Sequence, residues 1–449
     1  MKNCAAIFFD PQGSKNIDEF FREVENLSCF RRIVRLQGNS LKSLILTVGI
    51  FNIILLSVFK FRNIYFEWKN YNCLINKEEK IARGIDDYVK RRLKLRKLSK
   101  IFGIEVVNTL NKIYWFFVAM FLKKVLNDLT FERVFIFVPD EAYSIPSVIK
   151  FNCSHNVVWI SNINSYTLGL NVFNYTSPDF YRFPDRTYWT PFGLDRPEIM
   201  QFKVESYFSA LFNSKINHHD YGRTYRLDKP KASTSSNGKL NILIASHILC
   251  DAPSNHVNNF NSFEEWILFL LSTLTQYDDQ YNLYVKEHPS VDLYEERGLL
   301  LDLINIFVEN KGVNFISSDE RVNLNDFDIV FTCNGSVAYE CNFLGVSVVS
   351  CSDGFTRNLS NVCIAKDAKS LEAIIPKLKT IVEFPKCIDY QSLYNWILGR
   401  SFVEVRGHDT SDKLHNYVCD LIQELSSFPL DCSKVSVVSN GAVVLKLTN

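Results

Sequence analysis

Short apolar runs, each closed by turn residues, alternate with helix-length stretches along this chain. No other feature limits its fold so strongly. In the second half the runs Leu240–Ser246, Tyr281–Val285, Val313–Ile316, Asp328–Thr332 and Val346–Ser350 read as buried strands. Helices are expected around Ser262–Thr275, Tyr294–Asn310 and Val337–Leu344. In the first half Ala5–Phe9, Arg32–Leu36, Asn63–Phe66, Arg133–Val138 and Val157–Ile160 read as strands, and Ile17–Leu27, Leu41–Val58, Glu78–Leu98 and Val106–Leu126 as helices. Strands alternating with helices build βαβ units on parallel sheets, so the fold class is α/β.

At 449 residues the chain exceeds what one hydrophobic core usually serves. Asp228–Lys239 combines proline, glycine and small polar residues with no apolar anchor, and reads as the linker between two Rossmann-like halves. The expected division is an acceptor-side domain over 1–230, a nucleotide-binding domain over 239–385, and C-terminal helices with a tail over 386–449. Those helices are placed at about Tyr390–Leu398 and Ser411–Leu425.

A formal net charge of +1 gives no global electrostatic case for nucleic acid. The twelve cysteines show no C-x-x-C pair and no metal-ligand spacing, and no leader-like segment precedes the first strand. They read as reduced thiols of a cytoplasmic protein. Ser43–Phe59 is uncharged and nearly all apolar, at the lower edge of what a membrane span needs, and reads as a buried crossover helix feeding the strand at Asn63–Phe66. The basic stretch Arg91-Arg92, Lys94, Arg96-Lys97 and Lys100, spaced by leucines, is either a solvated face or a contact with the inner face of the cell membrane.

Two clusters carry chemistry, each directly after a strand. In an open α/β sheet, ligands bind outside the carboxyl ends of the strands. The first cluster is Lys286-Glu287-His288-Pro289. Pro289 holds His288 extended, and an imidazole there can donate to a phosphate oxygen or stabilise a leaving nucleotide. The second cluster is Asn334-Gly335-Ser336 with Glu340. Glycine permits close approach of a ligand, and the helix that follows offers unpaired N–H groups to an anion. Glu340, one turn beyond Ser336, can accept the hydroxyls of a ribose. His247 and Asp251, past the strand Leu240–Ser246, are candidates for the donor sugar. In the first half, Asp140 and Glu141 follow the strand Arg133–Val138 and could supply a general base, with Asp10 the rival. Cys333 and Cys341 read as small buried apolar residues. No Asp-x-Asp stands at a strand end, so neither metal nor other cofactor is expected.

With His288-Pro289, Gly335-Ser336, Glu340 and the stretch Phe260–Trp266 after Asp251-Ala252-Pro253, the chain resembles bacterial surface-polysaccharide glycosyltransferases of the GT-B class. That group includes capsule-synthesis proteins and bacterial sialyl- and polysialyltransferases. The resemblance implies two Rossmann-like domains facing a cleft. It also implies an inverting, metal-independent transfer from a nucleotide-sugar donor to a glycan or lipid-linked glycan acceptor, with a CMP-linked acidic sugar the leading donor. Asp140-Glu141-Ala142 is similar to the acidic pair that serves those enzymes as base, with alanine where they carry glycine. In this reading Lys286, Pro289, Asn334, Gly335 and Ser336 line the donor site. Transfer of glycerol phosphate from a CDP donor, or a non-catalytic scaffold in polysaccharide assembly, are the alternatives.

Overall fold

The computed structural model describes residues 4–10, 25–26, 30–37, 61–77, 79–138, 145–152, 157–164, 167–173, 197–213, 230–235, 237–250, 260–307, 312–333, 335–351, 359–383, 387–394, 436–439 and 442–445. In chain order the elements are β1 (Cys4–Asp10), β2 (Arg32–Gln37), α1 (Phe61–Lys77), α2 (Glu79–Arg91), α3 (Leu93–Phe102), α4 (Ile104–Asn127), β3 (Arg133–Val138), α5 (Ile145–Phe151), β4 (Val157–Asn164), β5 (Thr167–Phe173) and α6 (Pro197–Phe212). Then come β6 (Leu240–Ala245), α7 (Phe263–Leu274), β7 (Tyr281–Lys286), α8 (Leu299–Phe307), β8 (Val313–Ile316), β9 (Ile329–Thr332), α9 (Val337–Leu344), β10 (Ser347–Ser350), β11 (Val362–Ile364), α10 (Ala368–Ile374), α11 (Leu378–Glu383), β12 (Ser436–Ser439) and β13 (Ala442–Leu445).

These form two α/β units, one of 1–89, 94–192 and 398–449, the other of 90–93 and 193–397. The first holds a sheet of order β13-β12-β5-β4-β3-β1-β2, parallel from β4 to β2 and antiparallel beyond. Its core joins Ala5, Ile7 and Phe9 of β1 and Val134, Ile136 and Val138 of β3 to Trp115, Ala119 and Leu122 of α4. Alternate residues of each strand enter this cluster, as the period of two dictates.

Three expectations about these regions change. Asn63–Phe66 is not a strand but the first turns of α1. Ile64, Trp68, Tyr71 and Ile75 recur at helical spacing and all join the first core, and that burial outweighs the local apolar run. The polar linker is fastened to the second unit from Pro230 onward. Ala232 is buried and its N–H donates to the Arg321 carbonyl at 3.0 Å, while the Ser235 N–H donates to the Tyr284 hydroxyl at 2.7 Å. Main-chain bonds anchor it where no apolar residue was expected to. The tail over 386–449 is not only helical: β12 and β13 form a hairpin that pairs with β5. Residues 43–59, 17–24 and 411–425, expected as helical, lie outside the described residues. Among those described, no helix is long and apolar enough to cross a membrane.

In the second unit the sheet is wholly parallel, of order β11-β10-β9-β6-β7-β8. Helix α7 shows why this part of the sequence folds as it does. Ser262 caps it by accepting the Glu265 N–H at 3.0 Å. Phe263, Trp266, Ile267, Leu270, Leu271 and Leu274 then form one buried stripe against Ile242, Ile244, Leu283 and Val285. Helices α8 and α10 share that cluster and α9 does not. Helix α9 is covered by α6, whose Phe208 stacks on Phe343 with centroids 4.6 Å apart.

Candidate functional site

The order of the second sheet creates its own crevice. From β6 the chain moves through α7 and α8 outward to β7 and β8, then returns to the far side of β6 for β9, β10 and β11. The reversal therefore falls between β6 and β9, the place where an open α/β sheet leaves room for a ligand. The register aligns Ala245 with Lys286 and Ile244 with Phe331, so β6, β7 and β9 end at one level of one edge. His247 follows β6, His288 follows β7, and Gly335-Ser336 follow β9.

The two histidines lie in a ladder of rings. Phe263 stacks on His247 with centroids 4.6 Å apart and planes 10° from parallel, and His247 lies 5.7 Å from His288 at 29°. Phe263 begins α7, so the helix fixes the first rung. The His288 Nδ1 accepts the Ser290 N–H at 3.1 Å. With Nδ1 accepting, a neutral ring carries its proton on Nε2, the tautomer able to donate to an oxyanion.

Two buried glutamates hold the loops that bear these rings. The Glu287 carboxylate accepts the Gly298 N–H at 2.8 Å and the Ser318 N–H at 3.0 Å. The Glu296 carboxylate accepts the Leu249 and Cys250 N–H groups at 2.8 and 2.9 Å, tying the segment after His247 to the loop after β7. Arg297 adds an outer clasp, its Nε donating to Asp292 at 2.6 Å and its guanidinium also bonded to Asp319. Neither glutamate was assigned a role from sequence. Partial desolvation raises the Glu264 carboxyl above its ordinary range, with Lys90 opposing and Glu296 adding to the rise.

Lys286, expected to contact substrate, is buried with its ammonium on the carbonyls of Glu287 at 3.0 Å and Ser317 at 2.6 Å. Pro289 is exposed beside the half-buried His288. Ser336 is helical at φ −59° and ψ −19°, and its side chain makes no capping bond to α9. Glu340 is buried. Asp140, Glu141, Asp251 and Asn334 lie outside the described residues, as does the side chain of Asp10.

Gly335 is required by close approach. A Cβ there would stand 2.6 Å from the Oγ1 of the buried Thr332. Gly335→Ala is expected to lower stability by about 1–3 kcal/mol as the turn shifts off the strand end. Chemical denaturation of the variant beside the wild type measures this, and an unchanged midpoint would show that Thr332 simply rotates away.

One cysteine expectation is corrected here. Cys333 and Cys351, expected as reduced thiols, form a disulfide across the ends of β9 and β10, with Cα atoms 5.2 Å apart. Thr332 and Ser350 are in register, which sets the next residue of each strand side by side. Cys341 is buried and outside any disulfide, as expected.

No protein-family model and no curated protein matches the chain. Among solved structures it is similar to Thermosulfurimonas dismutans KpsC, beta Kdo 2,7 transferase, at 12% identity over 62% of this chain and 79% of that one, with a TM-score of 0.36. It is also similar to the Neisseria meningitidis UDP-GlcNAc 2-epimerase bound to UDP-GlcNAc, at 9% identity over 95% and 100% of the two chains and a TM-score of 0.33. The Methanocaldococcus jannaschii UDP-GlcNAc 2-epimerase matches at 11% identity over 91% and 100%, with a TM-score of 0.35.

Proposed function

We propose that this chain is an inverting, metal-independent glycosyltransferase that moves a sugar from a nucleotide donor to a bacterial surface glycan, with a CMP-linked acidic sugar the leading donor. One observation carries the reading: β6, β7 and β9 end together where the strand order reverses, presenting two stacked imidazoles on one side and the Gly335-Ser336 turn on the other. That combination suits the phosphate of a nucleotide.

In this reaction Asp140 or Glu141 takes the proton of an acceptor hydroxyl. The acceptor oxygen forms its bond to the anomeric carbon as the bond from that carbon to the phosphate oxygen breaks. The departing nucleotide phosphate receives a hydrogen bond from His288 Nε2. Ser336 and the first N–H groups of α9 hold the phosphate, and Glu340 takes the ribose.

A thermal-shift screen against CMP, CDP, UDP and GDP tests the reading. A nucleotide at about a hundred times its dissociation constant stabilises by about 2.7 kcal/mol, and CMP is expected to give the largest shift. Release of CMP from a CMP-linked sugar in the presence of acceptor then reports transfer. Absence of a shift with all four nucleotides would defeat the proposal. A product that carries the donor's phosphorus would replace it with glycerol-phosphate transfer from CDP-glycerol.

A further inference from the structure

Helices α3 and α4 meet at Gly103, whose φ of 86° lies in the left-handed region and turns the chain sharply between them. No side chain of α3 is buried. Leu98, Ile101 and Phe102 are 41%, 72% and 61% exposed. Their spacing of three and four places them on one face of α3. Beyond the corner, Ile104, Val106, Leu110 and Ile113 are 43%, 50%, 60% and 36% exposed. The last three recur at helical spacing, opposite the buried Val107, Asn111 and Trp115 of the same helix. Apolar side chains thus run through the corner on to the outer face of α4, and exposed apolar side chains grouped in this way mark a docking surface.

Charge selects the occupant. Lys94, Arg96, Lys97, Lys100 and Lys112 accompany these residues, and Glu105 is the one acid between Leu93 and Asn127. By the 100° step of the helix, Lys94 lies in line with the apolar face one turn before Leu98, Lys97 borders it, and Lys100 and Arg96 lie behind it. A second copy of this surface would bring like charges together. A membrane surface bearing anionic lipids would accept the apolar corner at its acyl boundary and the ammonium groups among its headgroups.

We propose that the α3–α4 corner is a docking surface for an anionic lipid bilayer, with Ile101, Phe102 and Ile104 entering the boundary and Lys94, Lys97 and Lys100 meeting the headgroups. The proposal does not depend on the reaction catalysed. It gives the chain a surface-bound state that needs no spanning helix.

Flotation of the full chain with vesicles of phosphatidylcholine, with and without a third of phosphatidylglycerol, tests it. Binding is expected to the phosphatidylglycerol vesicles and to weaken as salt is raised. The triple change Lys94→Gln, Lys97→Gln and Lys100→Gln should weaken it on the order of a hundredfold, at about fivefold for each cation near the surface. The double change Ile101→Ser and Phe102→Ser should weaken it by a similar factor, from about tenfold or more for each side chain no longer entering the boundary. Circular dichroism should stay unchanged in both variants, because α3 buries nothing. Three results would overturn the proposal: no flotation with phosphatidylglycerol, equal flotation of the variants, or a dimer in sedimentation that the serine changes dissolve while vesicles capture nothing.

Discussion

His288→Asn should lower turnover by about 100–1,000-fold while the melting temperature stays at its wild-type value. The magnitude is that of removing one donor aimed at developing charge, about 2.7–4 kcal/mol. Asparagine is the informative change because the ring has two separate duties. Its Nδ1 accepts the Ser290 N–H at 3.1 Å and keeps the turn after β7. Its Nε2 then carries, by tautomer, the proton that a phosphate oxygen needs. An asparagine oxygen can replace the acceptor near the main chain, and nothing replaces the donor further out. Glutamine reverses the exchange, reaching the Nε2 position with an N–H, and should restore part of the rate. The contact strengthens as negative charge gathers on the departing phosphate, so KM should move less than kcat. Ser336→Ala should do the opposite, weakening donor binding modestly, since main-chain N–H groups at the start of α9 remain. Steady-state kinetics with the donor found by the nucleotide screen measures all of these variants. An asparagine variant with normal turnover would remove His288 from the chemistry and leave it a turn residue.

The strands of the second unit were legible because each is a short apolar run bounded by turn residues, and burial on both faces of a parallel sheet demands that pattern. Val313–Ile316 and the helix Val337–Leu344 have the bounds that the sequence suggests. The pattern misled at Asn63–Phe66, where a run too short to identify its period belongs to a helix whose other buried residues lie further along. Composition misled at Pro230–Lys239, since main-chain hydrogen bonds to Arg321 leave no mark on side-chain polarity. The positions of His288 and Gly335 could be anticipated from strand ends alone. The partners that stiffen them could not, because Glu296 reaches residues 46 and 47 positions away and Cys333 pairs with a residue 18 positions on. Such contacts follow from strand order, which local sequence does not encode.

Glu287 shows the consequence most sharply, and its removal should be the most damaging single change in the second unit. Glu287 is 2% exposed, and its carboxylate joins three segments: its own strand end, Gly298 just before α8, and Ser318 just after β8. Each bond runs from a main-chain N–H to a carboxylate oxygen, worth about 1.5–3 kcal/mol. Glu287→Ala deletes both and leaves two amides without their acceptor, so a loss of about 3–6 kcal/mol is expected. Against the roughly 5–15 kcal/mol by which domains are stable, that approaches unfolding. Glu287→Gln should fall between, because its amide oxygen satisfies one N–H while its NH2 group confronts the other. Urea denaturation gives the stability change, and hydrogen exchange at Gly298 and Ser318 locates it. Turnover should fall as well, but for a reason opposite to that of His288→Asn, since here the loop carrying the imidazole loses its anchor and the fold weakens with it. Unaltered protection of Gly298 and Ser318 in the alanine variant would mean that another group holds this loop. In that case the rigidity of the His288 turn would have to come from the Arg297 clasp on Asp292 and Asp319.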